Sequence, residues 1–437
     1  MGDDITVGVL SLHNSKETKA ILNAIEDFGY DGVWLRRQNT MIRIDDGELI
    51  LSPEVDIVAN RLLMSTGKNM TNLLGLSTTI SECIPMLNRP QPTLQAVYKP
   101  AGYARMATFG VPVPDTTLSF TAPSINEIKR DVCDEWVIQK PAVGAHGEGT
   151  TRSRLDTPIP SRVGDSHIVL QEMIASDDEA RSDIRVYVVD GQVLGGMKRV
   201  APDDDWRTNV AQGGKPTKAT ISDELEDVAL KATKAVGLDY AGVDIILEDN
   251  EPYVLEVNPT AGFRGFFEAT GLSPAPYIAR AAIETVGGDV DDEEVQSVAK
   301  ELDDSVPEGR PEVEYPAQGQ NTVGYIEEIR LTGGEKTTNV TAKADTGAGR
   351  TSIDASVAAE IGAGPIKDTV VVKSASFDSE RRRPVVGVTV GIAHQEYTVN
   401  ASVEDRSHME QPVILGRDVL QHYSIELNSQ HPDSEES

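Results

Sequence analysis

The chain has 437 residues, 39% of them hydrophobic, which is enough for two or three domains with buried cores. Its formal charge is −30, from 70 acidic against 40 basic residues; this argues against nonspecific binding to nucleic acid or anionic lipid, and the spread of the acids over many segments fits a high-salt cytoplasm. Two cysteines, Cys83 and Cys133, offer neither a disulfide framework nor a metal-ligand spacing, no apolar run approaches the ~20 residues of a membrane span, and MGDDITVGVL lacks the basic and apolar regions of a signal peptide, so the expected location is cytoplasmic.

Residues 5–10, ITVGVL, read as a buried strand. KETKAILNAIEDFG carries apolar residues at helical spacing and puts Gly29 near a C-cap. YDGVWLR and VDIVANRLL read as two further strands, so 1–95 is expected to be a small α/β module with parallel pairing. From 96 to 285, helices alternate with the strands WVIQKP, HIVLQEMI, SDIRVYVVDGQVLGGMKRV, YAGVDIIL and PYVLEVN. Residues 286–319 are acidic and bear Pro and Gly; with one short helical stretch, they read as a linker. The short strands from TVGYIEEIRL to QPVILG describe an all-β domain over 320–428, and 429–437 read as a disordered tail.

Chemistry concentrates in the middle of the chain. In VIQKPAVGAHGEGT a strand ends at Lys140, and Gly144, Gly147 and Gly149 follow. Glycines let backbone N–H groups approach phosphate oxygens and a lysine adds a point charge, although such a run alone also suits a hairpin turn. In AGVDIILEDNEPYVLEVNP a hairpin centred on Asn250 sets Asp244 opposite Glu256, with Asn258 on the same face. Few carboxylates and oxygen donors only are what magnesium prefers; a solvated hairpin face is the alternative. Asp183 and Arg185 alternate with apolar residues on a strand, and Arg199, Arg207 and Asn209 follow before Gly213-Gly214. Arginine's planar fork suits phosphate or carboxylate, unless these residues only pair with the local Asp run. Lys99 opens a helix with Pro100 suited to N1, and by itself reads as a solvated helix residue.

These motifs, in this order, resemble the ATP-grasp fold of RimK-type carboxylate–amine ligases over roughly 1–285, most specifically RTNVAQGG, GLDYAGVDII and YVLEVNPTAG. The resemblance implies a pre-ATP-grasp module followed by the ATP-grasp region. It implies that Lys99 and Lys140 contact nucleotide phosphates and that Glu172 lies in the adenine–ribose cleft; Gly144, Gly147, Gly149, Asp183 and Arg185 are read with them as cofactor-binding residues. Asp244, Glu256 and Asn258 would hold Mg²⁺ or Mn²⁺, and Arg207 and Asn209 would face phosphate and substrate. Tyr98 stands where the family often has Asp before its first lysine. Arg264 is read either as recognising a substrate carboxylate or as pairing with Glu268. The implied reaction passes the γ-phosphoryl of ATP to a carboxylate, then lets an amine displace phosphate from the acyl phosphate. The expected partners are a protein or small-molecule carboxylate acceptor and an amino-acid amine donor such as glutamate. A nucleotide-binding sensor without turnover is the alternative from another class.

NVTAKADTGAGRTSIDAS and QPVILGRDVLQHYSIELN resemble the two ends of a retropepsin-like β-barrel, and the whole of 320–428 resembles domains labelled ATP-dependent zinc proteases. Aspartic proteolysis needs two carboxylates sharing a proton, and this domain has one Asp-Thr-Gly, at Asp345. A homodimer pairing Asp345 with its mate would complete the dyad, making a bifunctional ligase and peptidase. The alternative is a noncatalytic docking or dimer module. No H-E-x-x-H occurs and His394, His408 and His422 are scattered, so zinc is not expected.

Overall fold

The computed structural model describes residues 5–307 and 322–426, apart from 14, 38, 66–68, 120–125, 128–135, 145–149, 160–167, 175–180, 202–215, 375–376 and 394. The chain divides into two compact units, Met1–Glu312 and Val313–Ser437. No helix among the described residues is long and apolar enough to cross a membrane.

The first unit opens with β1 (Thr6–Leu10), α1 (Lys16–Asp27), β2 (Asp31–Leu35), a hairpin of β3 (Met41–Asp45) and β4 (Glu48–Ser52), β5 (Ile57–Asn60), α2 (Met70–Cys83) and β6 (Met86–Leu87). The sheet runs β2-β1-β5-β6 and is parallel throughout. Ser15 caps α1 by accepting from the Thr18 N–H at 3.2 Å. The apolar face of α1, with Ile21 and Ile25, is fully buried in one core with Val7, Val9 and Ile57. The β3–β4 hairpin, absent from the sequence reading, turns at Asp46-Gly47, both in the left-handed region at φ 49° and 86°.

Next come α3 (Pro90–Val97), α4 (Lys99–Thr108), β7 (Thr116–Ser119), β8 (Trp136–Lys140), β9 (Thr151–Arg154) and β10 (Ile168–Glu172). These strands form an antiparallel sheet in the order β7-β10-β8-β9. β11 (Ser182–Val189), β12 (Gln192–Val200), β13 (Thr217–Ala219), α5 (Asp223–Val236), β14 (Tyr240–Glu248) and β15 (Glu251–Asn258) follow. Their antiparallel sheet runs β13-β12-β11-β14-β15. α5 has Ser222 at its N-cap, three acids in its first turn and left-handed Gly237 at its C-cap. It covers one sheet face, where Val186, Val188, Val243, Ile245 and Val254 are fully buried. Residues of opposite parity on β11 and β14 face the other way.

Three short helices complete the unit: α6 (Arg264–Thr270), α7 (Ala275–Thr285) and α8 (Asp292–Val298). α8 lies inside the segment read as a linker. Val290, Val295 and Ala299 are buried, and Asn23 of α1 donates to the Asp303 carbonyl at 3.1 Å. The first part of that segment is therefore folded into the unit.

The second unit contains β16 (Thr322–Gly324), β17 (Ile326–Thr332), β18 (Thr337–Ala344), β19 (Ser352–Asp354), α9 (Ala355–Glu360), β20 (Ile366–Ser374), β21 (Phe377–Ile392), β22 (Gln395–Glu404), β23 (Val413–Leu415), α10 (Arg417–Leu420) and β24 (Ser424–Glu426). The order β17-β18-β23-β19-β22-β21 closes through a β17–β21 pairing into a six-stranded barrel, and β20 extends it beyond β21. Leu331, Ala342, Ile353, Val390, Ala401, Val413 and Leu415 fill the interior. β16 and β24 pair in parallel as a separate ribbon, Thr322 beside Ser424.

Candidate active site

Four neighbouring strands bring charges together on the face of the central sheet away from α5. Asp183 of β11 lies opposite Arg199 of β12, Arg185 of β11 opposite Asp244 of β14, and Asp244 opposite Glu256 of β15. The expected Asp244–Glu256 pairing is present, but by a different route. The turn is the two residues Asp249-Asn250, both at positive φ, and its centre alone would set Asp244 against Leu255. Leu255 is instead an extra residue: Ile245 pairs with Val254 and Asp244 with Glu256. This β-bulge turns Glu256 and Asn258 onto the face of Asp244.

The resulting network is hydrogen-bonded throughout, with a buried centre at Asp183, Arg199 and Asp244 and a partly exposed rim at Lys99 and Glu256. Arg185 grips Asp244 with two hydrogen bonds of 2.6 and 2.7 Å, and Arg199 grips Asp183 in the same way. Arg199 also reaches Asp244 at 2.8 Å. Asp183 and Arg199 are each 3% exposed and Asp244 is 2% exposed. Such burial of charge requires this degree of pairing. Lys99, at the start of α4, donates from Nζ to Glu256 Oε2 and to the Gly144 carbonyl, both at 3.0 Å. Its backbone N–H donates to the Ala142 carbonyl at 2.9 Å, so one residue ties the segment after β8 to Glu256. Asn258 donates to Glu256 Oε1 at 3.0 Å and lies 3.4 Å from Asp244 Oδ2.

Burial alone pushes the Glu256 carboxyl up, but Lys99, the Asn258 hydrogen bond and Arg185 together hold it well below the usual carboxylate range. Burial pulls Lys99 down, and the Glu256 carboxylate more than compensates, leaving it raised. Arg199 is raised in the same way by Asp244 and Asp183 against the cost of burial. Burial pushes the Tyr187 phenol up to about 12, and its O–H donates to the Gly262 carbonyl.

The candidate metal residues thus converge as two opposed carboxylates and an amide on one face. This donor set suits a hard divalent cation such as Mg²⁺, with each carboxylate already beside a basic side chain. Among the described residues, no group of three or more His, Cys, Asp and Glu side chains forms a metal cluster.

The other expected residues are distributed as follows. Lys140, at the end of β8, donates to the Gln171 amide oxygen on β10. Glu172 faces the chain at Asp115: its carboxylate accepts from the Asp115 N–H at 3.3 Å, and its own N–H donates to the Asp115 carbonyl at 2.9 Å. Asp183 and Arg185, assigned to nucleotide contacts from sequence, are engaged with Arg199 and Asp244. Arg207, Asn209, Gly147 and Gly149 lie outside the described residues. Arg264 pairs with Asp304 at 2.8 Å rather than with Glu268, a partner 40 residues away that local spacing does not suggest. Arg199, offered by the sequence for phosphate or carboxylate or for pairing with nearby Asp residues, is held by Asp183 and Asp244, and its place on β12 opposite Asp183 sets that pairing.

In the barrel, half-buried Asp345 follows β18 and its Oδ1 accepts from the Gly347 N–H at 2.8 Å. Arg417 of α10 donates to the Thr346 carbonyl at 2.9 Å, and Thr351 donates from Oγ1 to Asp418 at 2.8 Å. The Asp345 turn and the Gly416–Asp418 segment are thereby knitted together. His422 stacks on Tyr397, 5.2 Å between ring centres, and His394 lies outside the described residues.

A family model for the RimK-like ATP-grasp domain matches residues 104–282. The tetrahydromethanopterin:alpha-L-glutamate ligase of Methanocaldococcus jannaschii is 32% identical over 217 residues, 47% of this chain and 73% of that protein. A ribosomal protein bS6–L-glutamate ligase of Salmonella paratyphi B is 34% identical over 176 residues, 39% of this chain and 58% of that one. The solved structure of the ATP-grasp ligase PsnB, complexed with a phosphomimetic variant of its minimal precursor, Mg and ADP, aligns with a TM-score of 0.52. It shares 20% identity over 65% of this chain and 99% of that one, a likeness of fold. With the family match spanning the sheets that carry this charge network, the chain belongs to the RimK-like ATP-grasp family and is an ATP-dependent ligase that forms carbon–nitrogen bonds.

Proposed function

We propose that the chain joins an amino acid, glutamate in the first instance, to the carboxylate of a protein or small-molecule acceptor through an acyl phosphate. The observation that carries this reading is the convergence of Asp244, Glu256 and Asn258 beneath Lys99, on a face where Arg185 and Arg199 already supply positive charge. The named relatives act on tetrahydromethanopterin and on ribosomal protein bS6, which supports an acceptor of either size.

Asp244, Glu256 and Asn258 would hold Mg²⁺ or Mn²⁺, which when bound neutralises charge on the phosphates. Lys99, whose Nζ donates to the Gly144 carbonyl, and Lys140, at the end of β8, would supply positive charge to the nucleotide phosphates. Arg185 and Arg199 hold Asp244 in one orientation, so positioning is set before substrate arrives. Arg207 and Asn209 are assigned to phosphate and substrate, and Glu172 to the nucleoside. The amine then attacks the acyl carbon, forming the C–N bond as the C–O bond to phosphate breaks. ADP and phosphate leave, and the amine's proton passes to solvent.

Glu256→Gln keeps the Asn258 and Lys99 neighbours in place and removes one negative ligand. It is expected to retain its circular dichroism spectrum and to lose amine-dependent ADP release by about 10²-fold or more. Full activity in that variant would refute the metal assignment. ATP binding without ADP release by the wild type, across a broad panel of acceptors, would favour a sensor.

For the second unit, a retropepsin-like assignment is supported by the closed barrel and by the Asp345 turn tied to the strand–Gly–helix run of β23, Gly416 and α10. Asp345 supplies one carboxylate of a dyad, so peptidase chemistry would need a second copy of the chain.

A further inference from the structure

Beside the candidate site, Arg61 and Arg199 are almost fully buried and Arg185 is partly buried, and one of the three is unlike the others. Arg185 and Arg199 each hold a carboxylate with two hydrogen bonds. Arg61 is 4% exposed and, among the described residues, has no carboxylate at ion-pair distance. Its Nη2 makes long contacts to the carbonyls of Thr260 and Ala261, at 3.5 and 3.3 Å, and its Nε has no partner. The guanidinium lies 5.1 Å from the centre of the Phe263 ring. A buried cation held only by carbonyls and an aromatic face keeps hydrogen-bonding capacity that an anion can use.

The location points to a ligand as well. The chain passes from β1 to β2 on one side of the parallel sheet and returns to β5 on the other. The carboxyl ends of β1 and β5 therefore flank a topological switch point, where open α/β sheets bind ligands. Arg61 directly follows β5 there, its N–H donating to the Leu10 carbonyl at the end of β1, 2.9 Å away. The loop that leaves Asn258, through Pro259 and Ala261 to Phe263, closes over the same place, and Arg61 and Asn258 line one small cavity. The charge of Arg61 also reaches His13 in the loop after β1, whose pKa is lowered by burial first and by Arg61 next.

We propose that Arg61 is the recognition residue for a carboxylate of the organic substrate that is not itself phosphorylated. This rests on the ligase reading above. The carboxylate has two sources: the amino-acid donor, whose own carboxylates do not react, or a second carboxylate on the acceptor.

The test uses the full chain as wild type, Arg61→Gln and Arg61→Lys. Melting curves report folding, and calorimetry with Mg-ADP reports the nucleotide site. L-Glutamate, its α-amide, L-glutamine and glutarate are then titrated with and without Mg-ADP. The expected result is that Arg61→Gln binds Mg-ADP like the wild type but binds L-glutamate about tenfold more weakly or worse, with partial recovery in Arg61→Lys. An Arg61-dependent loss on masking one carboxylate of glutamate as its amide assigns the group to the donor. The same dependence seen equally with glutarate, which has no amine, assigns it to the acceptor. Unchanged binding of every probe in a folded Arg61→Gln overturns the proposal. So does a wild type that binds none of them, or a variant that loses Mg-ADP to the same extent as glutamate, because Arg61 would then only brace the loop. A wild type that binds carboxylates but not Mg-ADP would instead refute the ligase reading and leave Arg61 as a carboxylate site.

Discussion

Glu256 sits between two opposing pushes. Burial favours its neutral form, while Lys99, Asn258 and Arg185 favour the ion and prevail. Its folded pKa therefore lies below the unfolded value of about 4.3. A carboxyl shifted in this direction contributes stability that is fully present above the unfolded pKa and is lost as pH falls toward the folded one. Between about pH 4.5 and 2, urea midpoints of the first unit should fall less steeply in Glu256→Gln than in the wild type. Equal slopes would show that Glu256 is not held as an ion. This residue was legible from sequence because an acid flanked by Leu255 and Val257 on a strand demands a partner. Arg61 was not, since its interest lies in the absence of a counter-ion, and absence is a property of the folded neighbourhood. Arg264 shows the same limit: local spacing offered Glu268, and the fold supplied Asp304.

At the scale of elements, turns were the weak point of the sequence reading. The β3–β4 hairpin carries Asp46-Gly47 between MIRID and ELILS, a hairpin turn whose flanking strands are short and mostly exposed. The β14–β15 pairing was expected correctly, yet the bulge at Leu255 that produces it leaves no mark in a period of two. The short helix α8 was legible in the acidic segment but its docking was not, because a few buried positions, Val290, Val295 and Ala299, suffice to dock so short a segment. The Asp345 turn was legible as a turn, and its chemistry is separable from its fold. Asparagine can still accept from the Gly347 N–H, so Asp345→Asn is expected to change stability by no more than about 0.5 kcal/mol. If the carboxylate hydrolyses, this variant should leave a ligase product intact under conditions where the wild type removes it, as followed by mass spectrometry. Equal product decay in both would eliminate the peptidase reading.

At the scale of the whole molecule, a charge of −30 is a repulsive load that salt relieves. The Asp183–Arg199–Asp244 ion pairs at the centre of the active-site network are buried and little screened, so the salt response belongs to the surface. Melting temperatures should rise from low to molar KCl, and greater stability at low salt would reject an origin in a salty cytoplasm. The division into α/β and all-β parts could be read from strand spacing and composition, and a barrel was expected from the resemblance of its two ends; the β17–β21 pairing that closes it could not be read from spacing, because the two strands are distant in sequence. The β16–β24 ribbon has a consequence of its own. It hydrogen-bonds the entry of the second unit to its exit, Thr322 beside Ser424 and Gly324 beside Glu426. A barrel clasped at its own ends is portable: it can be spliced onto another chain, or rejoined end to end and opened elsewhere, with every strand of the closed wall left in place.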